Sequence, residues 1–79
     1  MEKYIRIKLF GIAVEKIGKR ELNFPLVPDT EKLNTSLIEK FPILKEIKFS
    51  IAVNRRLVNE NSPLTEDSEV ALLPPFSGG

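Results

Sequence analysis

The sequence contains no cysteine and no histidine. Thiol nucleophiles, disulfide bonds, zinc sites built on these residues and imidazole acid–base catalysis are therefore excluded. Its glycines are Gly11, Gly18, Gly78 and Gly79, and they do not form a glycine-rich phosphate-binding loop. A chain with so few catalytic side chains is not expected to be an enzyme on its own. Its function is expected to lie in a surface or in its own backbone.

The sequence also lacks a strong charge imbalance and a long apolar run. Its 12 lysines and arginines nearly balance 11 aspartates and glutamates, which argues against a nucleic-acid-binding protein. No run of about 18 apolar residues is present, so no membrane span is predicted. Residues 1–4 do not resemble the start of a signal peptide, and the expected location is the cytoplasm. No bound cofactor is expected. No metal site is expected either, because the acidic residues near the last strand lack the spacing of metal ligands: Glu60, Glu66, Asp67 and Glu69.

Apolar residues alternate with polar ones in several segments, as in β-strands with one buried face. The alternation predicts five strands, at residues 3–10, 21–26, 49–53, 57–58 and 69–73. A short helical turn is predicted at residues 13–17, ending at Gly18. Because proline has no N–H for a strand ladder, Pro25 predicts either that the second strand lies at a sheet edge or that the strand ends there.

One longer helix is predicted after Pro28, with Asp29 or Thr30 as its N-cap. The helix is expected to end before Pro42, and its apolar stripe is Leu33, Leu37, Ile38 and Phe41. A mixed sheet with one main helix packed across it is an α+β architecture, the ubiquitin-like β-grasp roll. We expect a globular domain over residues 1–73, with Leu64 filling the core from a loop, and an extended functional tail over 74–79.

The tail has the composition of a segment that leaves the domain. Pro74 and Pro75 cannot continue a strand ladder and favour an extended chain. Gly78 and Gly79 leave the terminal carboxylate with no neighbouring Cβ, so that this end can enter a narrow channel of a partner enzyme. The functional group is therefore expected to be the terminal carboxyl group of Gly79.

Five segments resemble the small subunit of molybdopterin synthase, a ubiquitin-like sulfur carrier: Ala52-Val53-Asn54, Leu57-Val58, Pro63-Leu64-Thr65, Glu69-Val70-Ala71 and residues 74–79. The resemblance implies that a ubiquitin-activating-type enzyme adenylates Gly79 using ATP, after which the carboxyl group becomes a thiocarboxylate. Gly78 would let the tail thread into the large subunit, where sulfur passes to the pterin precursor of the molybdenum cofactor. The variable tail positions are Ser77 and Phe76, where the family often has a smaller aliphatic residue.

A docking surface is expected on the sheet face that the core does not use. Strand alternation places Phe10 and Leu73 on that face, with Leu57 beside them, and grouped apolar residues on an open face mark partner sites. The resemblance implies these three positions as contacts for the activating enzyme and the large subunit, together with Pro74, Pro75, Phe76 and Ser77. Single exposed apolar residues are, however, also ordinary on protein surfaces. Arg55 and Arg56 either guide an acidic partner or solvate a turn.

Three other functions are compatible with the pattern. A sulfur carrier for thiamine synthesis has the same tail chemistry, although Pro74-Pro75 counts against it. A ubiquitin-like modifier conjugated to lysines also needs an activated C-terminus. A plain interaction module would carry the two terminal glycines by accident.

Overall fold

A computed structural model of the chain describes residues 3–74. In chain order its elements are β1 (Tyr4–Leu9), α1 (Ile12–Ile17), β2 (Glu21–Pro25), α2 (Thr30–Lys40), a 3-10 helix (Pro42–Glu46), β3 (Ser50–Val53), β4 (Arg56–Leu57) and β5 (Glu69–Leu73). Each predicted strand is present, with small shifts at the ends. No helix among these residues has the length and apolar character needed to cross a bilayer.

The five strands form one mixed sheet in the order β2-β1-β5-β3-β4. The central strand β5 runs parallel to β1, and the other neighbouring pairs are antiparallel. Both alternatives for Pro25 are observed, because β2 ends at this residue and lies at one end of the strand order. The β-grasp roll predicted from the element order is therefore the observed fold.

Local signals set the ends of both α-helices. Asp29 is the N-cap of α2, and its Oδ1 accepts a hydrogen bond from the Lys32 N–H at 2.9 Å. Gly18 ends α1 in the left-handed conformation, with φ of 82°. Glycine adopts this conformation without steric strain because it has no Cβ. The 3-10 helix was not predicted, since a single turn shows no apolar periodicity. Of the residues in this 3-10 helix, Leu44 is the one that is buried in the core.

The core lies between α2 and one face of the sheet. The alternating residues of β1 and β5 point into it and meet the apolar stripe of α2, so that the innermost side chains are Ile5, Ile7, Leu33, Leu37, Val70 and Leu72. Leu64 is buried with them from the loop before β5, as predicted. Because α2 covers only this face, the opposite face of the sheet is left open.

Candidate functional site

The open face of the sheet carries a row of side chains in register across four strands. Lys8 of β1 lies opposite Ala71 of β5, Ala71 lies opposite Ala52 of β3, and Ala52 lies opposite Leu57 of β4. Residues that are directly opposite on neighbouring strands share a face of the sheet. Because alanine side chains are short, Ala52 and Ala71 form a depression in the sheet surface between the larger side chains of Lys8 and Leu57.

This depression is a concavity of about 340 Å³ on the open face of the sheet. We call it the open-face concavity, and it is lined by Lys8, Phe10, Ala52, Arg55, Leu57, Glu69, Ala71 and Leu73. Its lining is mainly apolar, with charged side chains at the margin. Such a shape admits a side chain of a partner protein rather than an extended substrate.

The three residues predicted to dock a partner all line the concavity, but their exposure differs. Phe10 and Leu57 are 45% and 47% exposed. Leu73 was expected to be exposed and is only partly so, because β5 lies between β1 and β3 in the sheet. Leu73 is on the predicted face, since the partly buried residues that pack against the core do not include it. The role of these residues in binding stays a prediction.

The turn between β3 and β4 positions the charged side of the concavity. Asn54 and Arg55 both have positive φ, 52° and 68°, as in the two-residue turns that match the twist of a hairpin. The Asn54 Oδ1 accepts a hydrogen bond from the Glu69 N–H at 2.9 Å and ties this turn to β5. Arg55 Nε lies 3.7 Å from Glu69 Oε2. Arg56 is exposed in β4.

The chain leaves the sheet beside the concavity. After β5 ends at Leu73, the exposed Pro74 lies over the turn that follows β1. Gly11 in that turn has φ of +60°, and a Cβ added to it would lie 3.4 Å from Pro74 Cβ. The start of the tail and Phe10 are thus held at one corner of the domain. The predictions for Pro75, Phe76, Ser77, Gly78 and Gly79 fall on residues outside the described range.

The acidic loop before β5 is organised by its own hydrogen bonds. The Thr65 N–H donates to Ser68 Oγ at 2.9 Å, and the Asp67 N–H donates to Thr65 Oγ1 at 3.3 Å. Within residues 3–74 no group of three or more acidic side chains gathers as a metal site would require. Glu69 pairs with Arg55, and Glu60 and Glu66 are exposed.

Sequence reasoning missed Lys8, Ala52 and Ala71 as parts of the site. Alternation alone places Lys8 and Phe10 on one face of β1, but nothing in the local sequence marks a lysine there as part of a binding surface. Ala52 and Ala71 become part of the site only because the register of the strands places them side by side. The sequence does not show this register, because β1, β3 and β5 come from distant parts of the chain. Two small residues on the open-face positions of predicted strands were the only available signal.

The fold and the site together define a ubiquitin-like β-grasp protein with one open, partly apolar sheet face next to the exit of its C-terminal strand. The pattern of the ThiS family matches residues 7–79. The chain therefore belongs to the ThiS family.

Several relatives carry a more specific name. The molybdopterin synthase sulfur carrier subunit of Caenorhabditis briggsae is 35% identical, and the match covers 95% of this chain and 96% of that protein. The protein of the same name from Arabidopsis thaliana is 32% identical, over 95% of this chain and 82% of that one. The resemblance to molybdopterin synthase small subunits noted from the sequence is thereby confirmed.

Solved structures show the same fold. The small archaeal modifier protein 1 of Methanosarcina acetivorans superposes with a TM-score of 0.79, at 24% identity, over 100% of this chain and 99% of that chain. A chain in the complex of subunits 1 and 2 of molybdopterin-converting factor from Helicobacter pylori superposes with a TM-score of 0.68. That pair is 26% identical, and the match covers 96% of this chain and 99% of the other.

Proposed function

We propose that this chain is the sulfur-carrier subunit of molybdopterin synthase and that its sulfur is carried on the carboxyl group of Gly79. The observation that carries the proposal is the match to the ThiS family, which runs through residue 79. The relatives named as sulfur carrier subunits support the particular pathway. The position of Pro74 at an exposed corner supports a role for the segment that follows it.

The proposed chemistry needs no side chain of this protein. A carboxylate is a poor electrophile, so an oxygen of the Gly79 carboxylate first attacks the α-phosphorus of ATP and displaces pyrophosphate. A hydrosulfide ion then attacks the acyl carbon, forms the carbon–sulfur bond and displaces AMP, and loss of the S–H proton leaves a thiocarboxylate. ATP is a substrate of the activating enzyme, and no cofactor is assigned to the carrier. Transfer of this sulfur to the pterin precursor takes place in the large subunit, so the carrier performs no catalysis alone.

Two protein partners are proposed. One is the large subunit of molybdopterin synthase, supported by the solved complex of subunits 1 and 2 from Helicobacter pylori. The other is an adenylating enzyme of the ubiquitin-activating type. Both would contact the open face through Phe10, Leu57 and Leu73. Of these, Leu73 directly precedes Pro74, and Phe10 directly precedes Gly11, which faces Pro74. The cytoplasm stays the predicted location, to be checked by cell fractionation.

Intact-mass spectrometry tests the carrier chemistry directly. The chain is incubated with the activating enzyme of its own organism, ATP and a sulfide donor. We expect the mass increase of one sulfur replacing one oxygen, and no increase when Gly79 is deleted. The deletion should leave folding unchanged, because the described core ends before the tail. Glu39→Gln, on the exposed side of α2, serves as the control and should be sulfurated normally.

The other outcomes separate the alternatives. A lysine-linked adduct would favour a protein modifier, and an unchanged mass would favour a plain interaction module. Restoration of thiamine synthesis, but not of molybdenum cofactor synthesis, in cells lacking their own carrier would favour the thiamine pathway. The mechanism would be contradicted if the chain without Gly79 still restored cofactor synthesis.

A further inference from the structure

Lys8 differs in its ion pairing from Arg6, which precedes it on the same face of β1, and from Arg55, which also lines the concavity. Arg6 Nε lies 3.2 Å from Glu21 Oε1, and Arg55 Nε lies 3.7 Å from Glu69 Oε2. Glu21 is directly opposite Lys8 in the β1–β2 register, but its carboxylate is turned to Arg6. Within residues 3–74, no salt bridge involves the Lys8 ammonium group.

The position of Lys8 makes this charge important for any partner. Lys8 lines the open-face concavity with Phe10 and Leu73, at the opposite end of the row from Leu57. A protein that fills the concavity must therefore also cover Lys8 and remove much of its water. A charge that loses its water without gaining a partner is strongly unfavourable. The Arg55 end of the concavity differs, because Glu69 already offers a carboxylate there.

We propose that the partner surface that docks on the open-face concavity places an aspartate or glutamate against Lys8, beside an apolar side chain that enters between Phe10 and Leu57. The apolar side chain would fill the space above the two alanines at the base of the concavity. The carboxylate would pair with the Lys8 ammonium group, for which residues 3–74 provide no ion pair. This inference rests on the proposed function for the identity of the partner, which is the large subunit of molybdopterin synthase.

The experiment measures binding of the full chain to the large subunit of the same organism by surface plasmon resonance. Lys8→Met keeps an apolar stem of similar length and removes the charge. Lys8→Glu reverses the charge. Lys32→Glu is the matched control, since it changes net charge equally but lies exposed on α2, which packs against the opposite face of the sheet.

We expect Lys8→Met to weaken binding about tenfold, and Lys8→Glu to weaken it further and to slow association. Lys32→Glu should bind like the unsubstituted chain. Raising the salt concentration should slow association of the unsubstituted chain more than that of Lys8→Met, because salt screens the attraction that the variant has lost.

Two results would overturn the inference. One is binding of Lys8→Met that is as tight as that of the unsubstituted chain. The other is a Lys8→Glu variant that behaves like Lys32→Glu. Failure of the proposed function gives a different result, since the unsubstituted chain would then fail to bind the large subunit or to gain sulfur. If the inference holds, reversing one acidic residue of the large subunit to lysine will restore binding of Lys8→Glu.

Discussion

Leu72 and Leu73 are neighbours on β5, and we expect replacement by alanine to affect mainly stability at Leu72 and mainly partner binding at Leu73. Leu72 points into the core and is 0% exposed. Leu73 points to the open face and lines the concavity. Because the two substitutions delete the same atoms from adjacent positions of one strand, each serves as the control for the other.

The expected magnitudes follow from burial. Leu72→Ala should lower the free energy of unfolding by about 2–5 kcal/mol, since it leaves a cavity in a packed core. Each fully buried carbon group of a side chain stabilises the fold by about 0.8 kcal/mol. Because Leu73 is only partly buried, Leu73→Ala should lower the free energy of unfolding by only about 1 kcal/mol. A domain of 79 residues has a total stability of about 4–12 kcal/mol. Leu72→Ala therefore removes a large part of it, and Leu73→Ala does not.

Urea denaturation followed by circular dichroism measures stability, and calorimetric titration with the large subunit measures binding. Leu73→Ala should weaken binding about tenfold, as expected for an apolar residue near the centre of an interface. Leu73→Asp should weaken it more, with little further loss of stability. Equal losses of stability in Leu72→Ala and Leu73→Ala would refute the assignment of Leu73 to the open face. Unchanged binding by a folded Leu73→Asp variant would refute its role in docking.

Two further substitutions test the local structure around the site. Asp29→Ala removes the N-cap of α2 and should lower the free energy of unfolding by about 1 kcal/mol. Asp29→Asn should retain most of this stability in the same urea titration, because asparagine is also a good N-cap. Equal losses of stability in the two variants would contradict the capping role of the Asp29 side chain. Asn54→Ala removes the hydrogen bond to the Glu69 N–H and places alanine at positive φ, at a cost of about 1–2 kcal/mol. Amide hydrogen exchange should show faster exchange at Glu69 in this variant, and protection equal to that of the unsubstituted chain would argue against the tie between turn and strand.

The sequence by itself determined which residues form strands and which side of each strand is buried. A strand has a side-chain period of two, so the alternation of Ile5, Ile7 and Leu9 is visible without knowledge of the neighbours. Caps and breakers are equally local, which is why Gly18 and Pro42 marked helix ends correctly. The N-cap of α2 was narrowed to Asp29 or Thr30, and the structure shows that it is Asp29. The resemblance of residues 74–79, and of four segments before them, to the molybdopterin synthase small subunit also indicated the family.

Only the tertiary structure decided what lies side by side on the open face. The sheet order β2-β1-β5-β3-β4 brings Lys8, Ala71, Ala52 and Leu57 into one row, and alternation contains no information on which strands pair or in what register. The partial burial of Leu73 has the same origin, since it depends on the strands to either side of β5. The faces of the strands are thus a local property of the chain. The concavity, and the absence of an ion pair at Lys8 within the described residues 3–74, come from contacts between segments far apart in sequence.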